Sequence, residues 1–293
     1  MRGNSKLIRM VLFLAASLLG SAAAFGQGTP AQQPQQPSPS PGLAPSDKSS
    51  TPQAAPLTLD SAPPPVNAEE EAAIKTFRDV KVGDAAQKDQ LAEAFLQKYP
   101  ESRYRAEIYS WQVKSYFNKG QVDKMEEAGD KELALVPNDP QTLAIIGSTL
   151  PRAMNASTPE PLKRLAKSEQ YCQKALDLLP TIPKPENLTD EVFQSMKNQV
   201  SAMAYSGLGL VAFRRGKYAD AISNFEQSVK LDTQPDPVNY YLLGVSNEKT
   251  SHFEDAVAAF TKCAAVPGGL QATCTQNIEE AKKLAATQLS APK

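Results

Sequence analysis

From Ala68 onward, apolar residues recur at spacings of three and four within segments of helical length, and Gly or Pro closes each segment. That period belongs to amphipathic helices, and no alternating apolar and polar run suggests a strand. The segments come in pairs, which calls for a search for a repeat before any helix is assigned singly. The clearest pair, residues 202–235, carries Tyr205, Leu208-Gly209, Ala212, Gly216, Tyr218, Ala221-Ile222, Phe225 and Leu231. Residues 237–270 carry Tyr240, Leu243-Gly244, Asn247, Ser251, Phe253, Ala256-Val257, Phe260 and Val266, in the same order 35 positions later. Gly209 and Gly244 let the first helix of each pair lie close against the second, and Ala221 and Ala256 do the same from the other side. Phe225 and Phe260 fill the space these small residues leave.

Fainter copies lie upstream. Residues 69–102 carry Gly83, Phe95 and Pro100; residues 106–139 carry Tyr109, Tyr116, Gly120, Val122 and Pro137; residues 140–181 carry Ile146-Gly147, Ala175 and Pro180. The last of these is longer by about nine residues around Met154 to Lys163, where Thr158-Pro159-Glu160-Pro161 predicts a loop. Pro183 and Pro185 then forbid helix, and Thr189 before Asp190 and Glu191 predicts the N-cap of a long helix running into Ala202. Residues 271–288 read as a terminal helix that shields the last apolar face. The expected fold is all-α, a solenoid of about five helix-turn-helix units with a C-terminal capping helix, spanning residues 68–289.

The first quarter of the chain differs. Arg2, Lys6 and Arg9 precede an apolar run from Met10 to Leu19, followed by small residues to Ala24. This predicts a signal peptide over residues 1–26 and an exported, periplasmic or secreted protein; retention as an anchor is the alternative, although the run is short of the ~20 residues a span requires. No Cys near that region could accept a lipid. Residues 27–67, rich in Pro, Gln, Ser and Ala, contain too few large apolar residues to offset the entropy of ordering and predict a disordered tether. No second long apolar run follows, so no membrane segment is expected after cleavage.

The repeats resemble the tetratricopeptide repeat, whose pattern is an aromatic, Leu-Gly, an aromatic, Ala, an aromatic and a closing Pro. The resemblance covers about 200 residues and is strongest over roughly 70. It implies a superhelix with a concave groove lined by the first helix of each unit, and a protein or peptide as partner. The groove positions it implies are Ser110, Lys114 and Phe117 in one unit, Ser148 and Arg152 in the next, Ser206, Leu210, Phe213 and Arg214 in the third, and Tyr241, Val245 and Lys249 in the fourth. Such a mixed aromatic and basic strip suits a peptide carrying an apolar anchor and a carboxylate; the opposing reading makes Phe117, Phe213 and Tyr241 part of the core and the cations ordinary surface. Chaperone-binding members carry Asn where this chain has Lys114 and Leu210. The segment from Phe95 to Tyr104, with Tyr99-Pro100, Ser102 and Tyr104, is similar to joints in bacterial envelope members of the family.

Charge and chemistry narrow the function further. The chain has 31 basic and 32 acidic side chains; without Arg2, Lys6, Arg9, Lys48, Asp47 and Asp60 the remainder has 27 against 30. A slightly acidic surface argues against nucleic acid as a partner. The single imidazole, His252, falls in an inter-helix turn with no second His to complete metal-ligand spacing. Gly207-Leu208-Gly209-Leu210-Val211-Ala212 matches the dinucleotide fingerprint in letters, but it lies inside one continuous helical pattern instead of at a strand-to-helix turn. Asn155-Ala156-Ser157 and Asn187-Leu188-Thr189 match the glycosylation acceptor, both in expected loops. Cys263 and Cys274 flank the last turn, where they can form a disulfide or pack as small buried residues; Cys172 is expected to be unpaired and buried. No catalytic, cofactor or metal constellation emerges, and the expected function is a non-enzymatic envelope scaffold holding a polypeptide in its groove. The alternative is a structural component that assembles, with itself or with an envelope complex, through its end helices.

Overall fold

The computed structural model describes residues 67–290 apart from Val82. The signal peptide and the tether expected up to Val66 lie outside the described residues. Eleven helices occupy the described chain: α1 (Ala68–Asp79), α2 (Ala85–Lys98), α3 (Arg105–Lys119), α4 (Val122–Leu135), α5 (Pro140–Ala153), α6 (Pro161–Leu178), α7 (Asp190–Arg214), α8 (Tyr218–Leu231), α9 (Pro237–Lys249), α10 (Phe253–Ala264) and α11 (Gln271–Ser290). Consecutive helices pack as five pairs, α1 with α2 through α9 with α10, and α11 closes the stack against α10. No strand occurs among the described residues. The fold is an all-α solenoid of helical repeats.

Local chemistry places the helix ends. Asp139 and Asp236 each accept a hydrogen bond from the amide two residues ahead, Gln141 and Val238, and each is followed by a Pro that lacks an amide hydrogen at the first helical position. Thr189 Oγ1 accepts from Val192 N at 3.3 Å and opens α7. Gly120 and Gly216 take positive φ at the turns after α3 and α7, where a side chain would collide with the backbone. Ser251 adopts the same left-handed conformation after α9 without being Gly.

The core runs through the stack between first and second helices. Phe225 and Phe260 are fully buried, as are Ala221 and Ala256 one turn before them on the same helices. Ile74, Phe77, Ala92 and Phe95 of the first pair form one apolar cluster with Ile108 of α3. An Arg78–Glu107 ion pair joins α1 to α3, and an Arg103–Glu71 pair joins α1 to the turn between α2 and α3. Ser102 and Tyr104, in that same turn, donate to Glu70 and Glu71 of α1. Among the second helices, Arg164 and Lys167 of α6 reach Glu126 and Asp130 of α4.

The α5 helix departs from the amphipathic pattern: every residue from Thr142 to Pro151 is buried. Such a helix belongs in the centre of a packed structure. Pro151 cannot donate to the carbonyl of Gly147 four residues earlier, and the Ser168 hydroxyl of α6 donates to that carbonyl instead.

At the C-terminal end, Cys263 of α10 and Cys274 of α11 are joined by a disulfide, while Cys172 is free and buried. Ala281 and Ile278 of α11 pack on Ala256 and Phe260. Replacing both bridged cysteines by Ser is expected to weaken the α10–α11 pair by roughly 2 kcal/mol, since closing a short loop restricts the unfolded chain. Amide exchange across α11 should quicken accordingly; protection equal to that of the unmodified chain would show that the bond adds no constraint.

Candidate functional site

The candidate site is the face shared by the first helices of the pairs, α3, α5, α7 and α9. Within each late pair the backbone approach is close. A Cβ on Gly209 would stand 2.7 Å from the Phe225 ring, and one on Gly244 would stand 2.5 Å from that of Phe260. Gly207, two positions before Gly209, serves a different contact. Its Cβ would meet the Cys172 sulfur at 2.4 Å, the Cα of Ser148 at 2.9 Å and the carbonyl oxygen of Gly147 at 3.0 Å. The GxG pair therefore has two partners: Gly209 faces the second helix of its own unit, and Gly207 faces the first helix of the preceding unit.

This close approach changes what the shared face exposes. Ser148 is buried in α5, where its hydroxyl donates to the Ile145 carbonyl. Ser206 and Leu210 of α7 are only 4% and 5% exposed. These three, implied as groove positions, are helix contacts here: Ser148 lies against Gly207 of α7, Ser206 bonds to Asn239 of α9, and Leu210 clusters with Leu243 of α9. Phe213 packs edge-on against Tyr218, Tyr241 packs against Phe260, and Val245 joins the same cluster as Tyr241; all three contribute to the core. Ser110 and Lys114 are half-buried on α3, Phe117 is 38% exposed, and Lys249 is exposed at the end of α9.

Arg152 and Arg214 have contrasting surroundings. Arg152 Nη1 forms an ion pair with Asp236 Oδ2, the residue that caps α9 with its other oxygen, and Arg152 Nη2 lies 3.5 Å from Ser206 Oγ. Below this pair, Ser206 Oγ donates to Asn239 Oδ1 at 2.8 Å, Asn239 Nδ2 donates to Ser228 Oγ at 3.1 Å, and Ser228 Oγ donates to the Ala202 carbonyl at 2.8 Å. Arg214 Nη2 donates to the Met154 carbonyl at 2.8 Å, and among the described residues no carboxylate pairs with it. Partial burial without a counter-charge lowers its pKa from the ordinary value.

A second polar cluster joins α4 to α5. Glu132 is 2% exposed; Thr142 Oγ1 donates to its carboxyl group, and Asp139 shares a hydrogen bond with it. Burial, followed by the bond to Asp139, pushes the Glu132 pKa up to about 8. His252 is exposed in the α9–α10 turn with Nδ1 3.0 Å from Thr250 Oγ1. Among the described residues, no three His, Cys, Asp or Glu side chains are placed to hold a metal ion, and no helix is long and apolar enough to cross a membrane.

Asp236, Asn239, Ser228 and Glu132 were not singled out from the sequence, and Gly207 only as a letter of the dinucleotide-like motif. Glu132 had a legible signal, since alignment of the units puts it at the position of the small residues Ser228 and Cys263.

Paired helices stacked in one direction, with small residues at each crossing and a terminal helix over the last pair, define an α-solenoid of helix-turn-helix repeats. The family model described as tetratricopeptide repeat matches residues 202–235, the unit formed by the second half of α7 and by α8, so the chain carries a tetratricopeptide repeat there. Similar solved structures include PilW, described as a widely conserved type IV pilus biogenesis factor, at 17% identity with a TM-score of 0.48, covering 76% of this chain and 93% of that one. PilF of Pseudomonas aeruginosa shares 18% identity with a TM-score of 0.48, covering 74% and 87%. A thermophilic tetratricopeptide protein of Thermus thermophilus shares 16% identity with a TM-score of 0.43, covering 75% and 99%. No curated protein matches the chain.

Proposed function

We propose that this protein is a non-enzymatic scaffold of the cell envelope that holds a partner polypeptide on the face shared by α3, α5, α7 and α9. The observation that carries this reading is Arg214: a guanidinium with five donors spends one on a backbone carbonyl and has no carboxylate partner among the described residues. A partner's carboxylate would supply that partner. Phe117 and Lys114 on α3 offer an apolar contact and a second cation on the same row. Export rests on the sequence pattern of residues 1–26, and the Pro, Gln, Ser and Ala composition of residues 27–67 is that of a spacer. The outward-facing residues of α11 are mostly polar, among them Gln271, Thr275, Gln276, Glu279 and Lys283, with Leu284 also exposed, as suits a cap better than an assembly surface.

Affinity recovery from the native envelope, with the mature chain as bait, tests the proposal. An Arg214→Glu, Lys114→Glu variant should lose the recovered partner by about ten-fold while keeping its helicity, consistent with loss of charge-assisted hydrogen bonds. Equal recovery by both baits would move the contact off this face. A concentration-dependent mass with nothing recovered would favour self-assembly.

A further inference from the structure

We infer that the Arg152–Asp236 ion pair is a clasp that closes the shared face over α7, and that its release exposes Ser206. This inference rests on the reading that the shared face receives the partner.

In a solenoid each unit ordinarily touches only its neighbours. Arg152 ends the first helix of the third pair and Asp236 opens the first helix of the fifth, so this contact skips the fourth pair and crosses α7. Comparison of equivalent repeat positions shows the effect. Ser110 and Lys114 of α3 correspond to Ser206 and Leu210 of α7; the first two are half-buried and the second two are buried. Ser110 and Ser206 share both position and residue type, so their difference comes from what lies above α7, whereas Leu210 also packs with Phe225 and Leu243 in the apolar core.

The contact is built to open without unfolding its surroundings. Arg152 and Asp236 keep 33% and 30% of their side chains exposed, so water and salt reach the pair and its hold is marginal. Asp236 uses Oδ1 for the α9 cap and Oδ2 for Arg152; release of Arg152 leaves α9 capped. The layer beneath is the Ser206–Asn239–Ser228 chain of small polar groups. Water can replace such hydrogen bonds, whereas interlocked apolar side chains have no equivalent substitute. A partner that occupies the face would thus meet a closed form that opens at one salt-sensitive point.

The test reads accessibility on the free full-length chain, so that its outcome is separate from whether any partner binds. Ser206→Cys serves as the probe of opening and Leu210→Cys, in the apolar cluster with Phe225 and Leu243, as the control for unfolding; each is labelled with a small maleimide, native Cys172 is buried and Cys263 and Cys274 are bonded. Arg152→Gln and Asp236→Asn, the latter retaining a good N-cap residue, are each expected to speed labelling of the Ser206→Cys probe by about five-fold and leave the Leu210→Cys control slow, with helicity and the thermal midpoint unchanged. Raising salt to ~0.5 M should speed labelling when the pair is intact and add nothing once it is removed. Rates unaffected by either substitution and by salt would overturn the inference. So would faster labelling accompanied by loss of helix, which would signal unfolding instead of opening.

Discussion

Gly207→Ala is expected to destabilise the protein by about 3 kcal/mol or more, the upper range for forcing a methyl group into a filled contact. The new Cβ would stand 2.4 Å from the Cys172 sulfur, 2.9 Å from the Ser148 Cα and 3.0 Å from the Gly147 carbonyl oxygen. A sulfur at the end of a side chain can rotate away, but two of the three neighbours are backbone atoms of α5. Relief requires α5 and α7 to part, which loosens the clusters around Ile145 and Ala204 on either side. Adding Cys172→Ala to Gly207→Ala should therefore recover only part of the loss. Gly83→Ala provides the control, because nothing lies within 4 Å of its Cβ position. Urea denaturation compares the three variants, and a Gly207→Ala midpoint equal to that of Gly83→Ala would refute the close approach.

Glu132→Gln is expected to stabilise the protein at alkaline pH and leave it nearly unchanged under acid conditions. The carboxyl group holds its proton in the folded chain up to about pH 8, against 4.5 as its ordinary value. The raised pKa fixes the sign. Below about pH 4.5 both folded and unfolded chains carry the proton and the favourable contribution is complete. Between that value and about pH 8 the unfolded chain releases a proton that the folded chain retains, so stability falls as pH rises. Gln keeps a donor for Asp139 and an acceptor for Thr142 but cannot ionise. Its advantage should reach the order of 3 kcal/mol near pH 8, less than the full shift would allow because the joint can relax and admit water. Stability curves for both proteins between pH 4 and 9 test this, and a variant less stable at every pH would mean that the carboxylate is needed in its charged form.

These residues show where reading from the sequence succeeds and where it stops. Phe225, Gly209 and Ala221 are legible because their contacts lie within one 34-residue unit, and the same letters return 35 positions later. Thr189 is legible for a simpler reason: an N-cap acts on the third residue ahead. Gly207 was visible as one letter of a dinucleotide-like motif, but its partners, Ser148 and Gly147, lie in another unit. Three of the groove positions are covered for the same reason. Helical period put Ser148, Ser206 and Leu210 on the inward row; their exposure depends on how near the neighbouring first helices come.

The order of apolar and small residues along the chain determined helix length, pairing and the all-α repeat class, since each depends on hydrogen bonds and side-chain contacts a few tens of residues apart at most. Only the tertiary structure decided the spacing between units, and with it the central burial of α5, the proton held by Glu132 and the meeting of Arg152 with Asp236, 84 positions away. Small rotations at successive interfaces add along a stack. No local pattern encodes their sum.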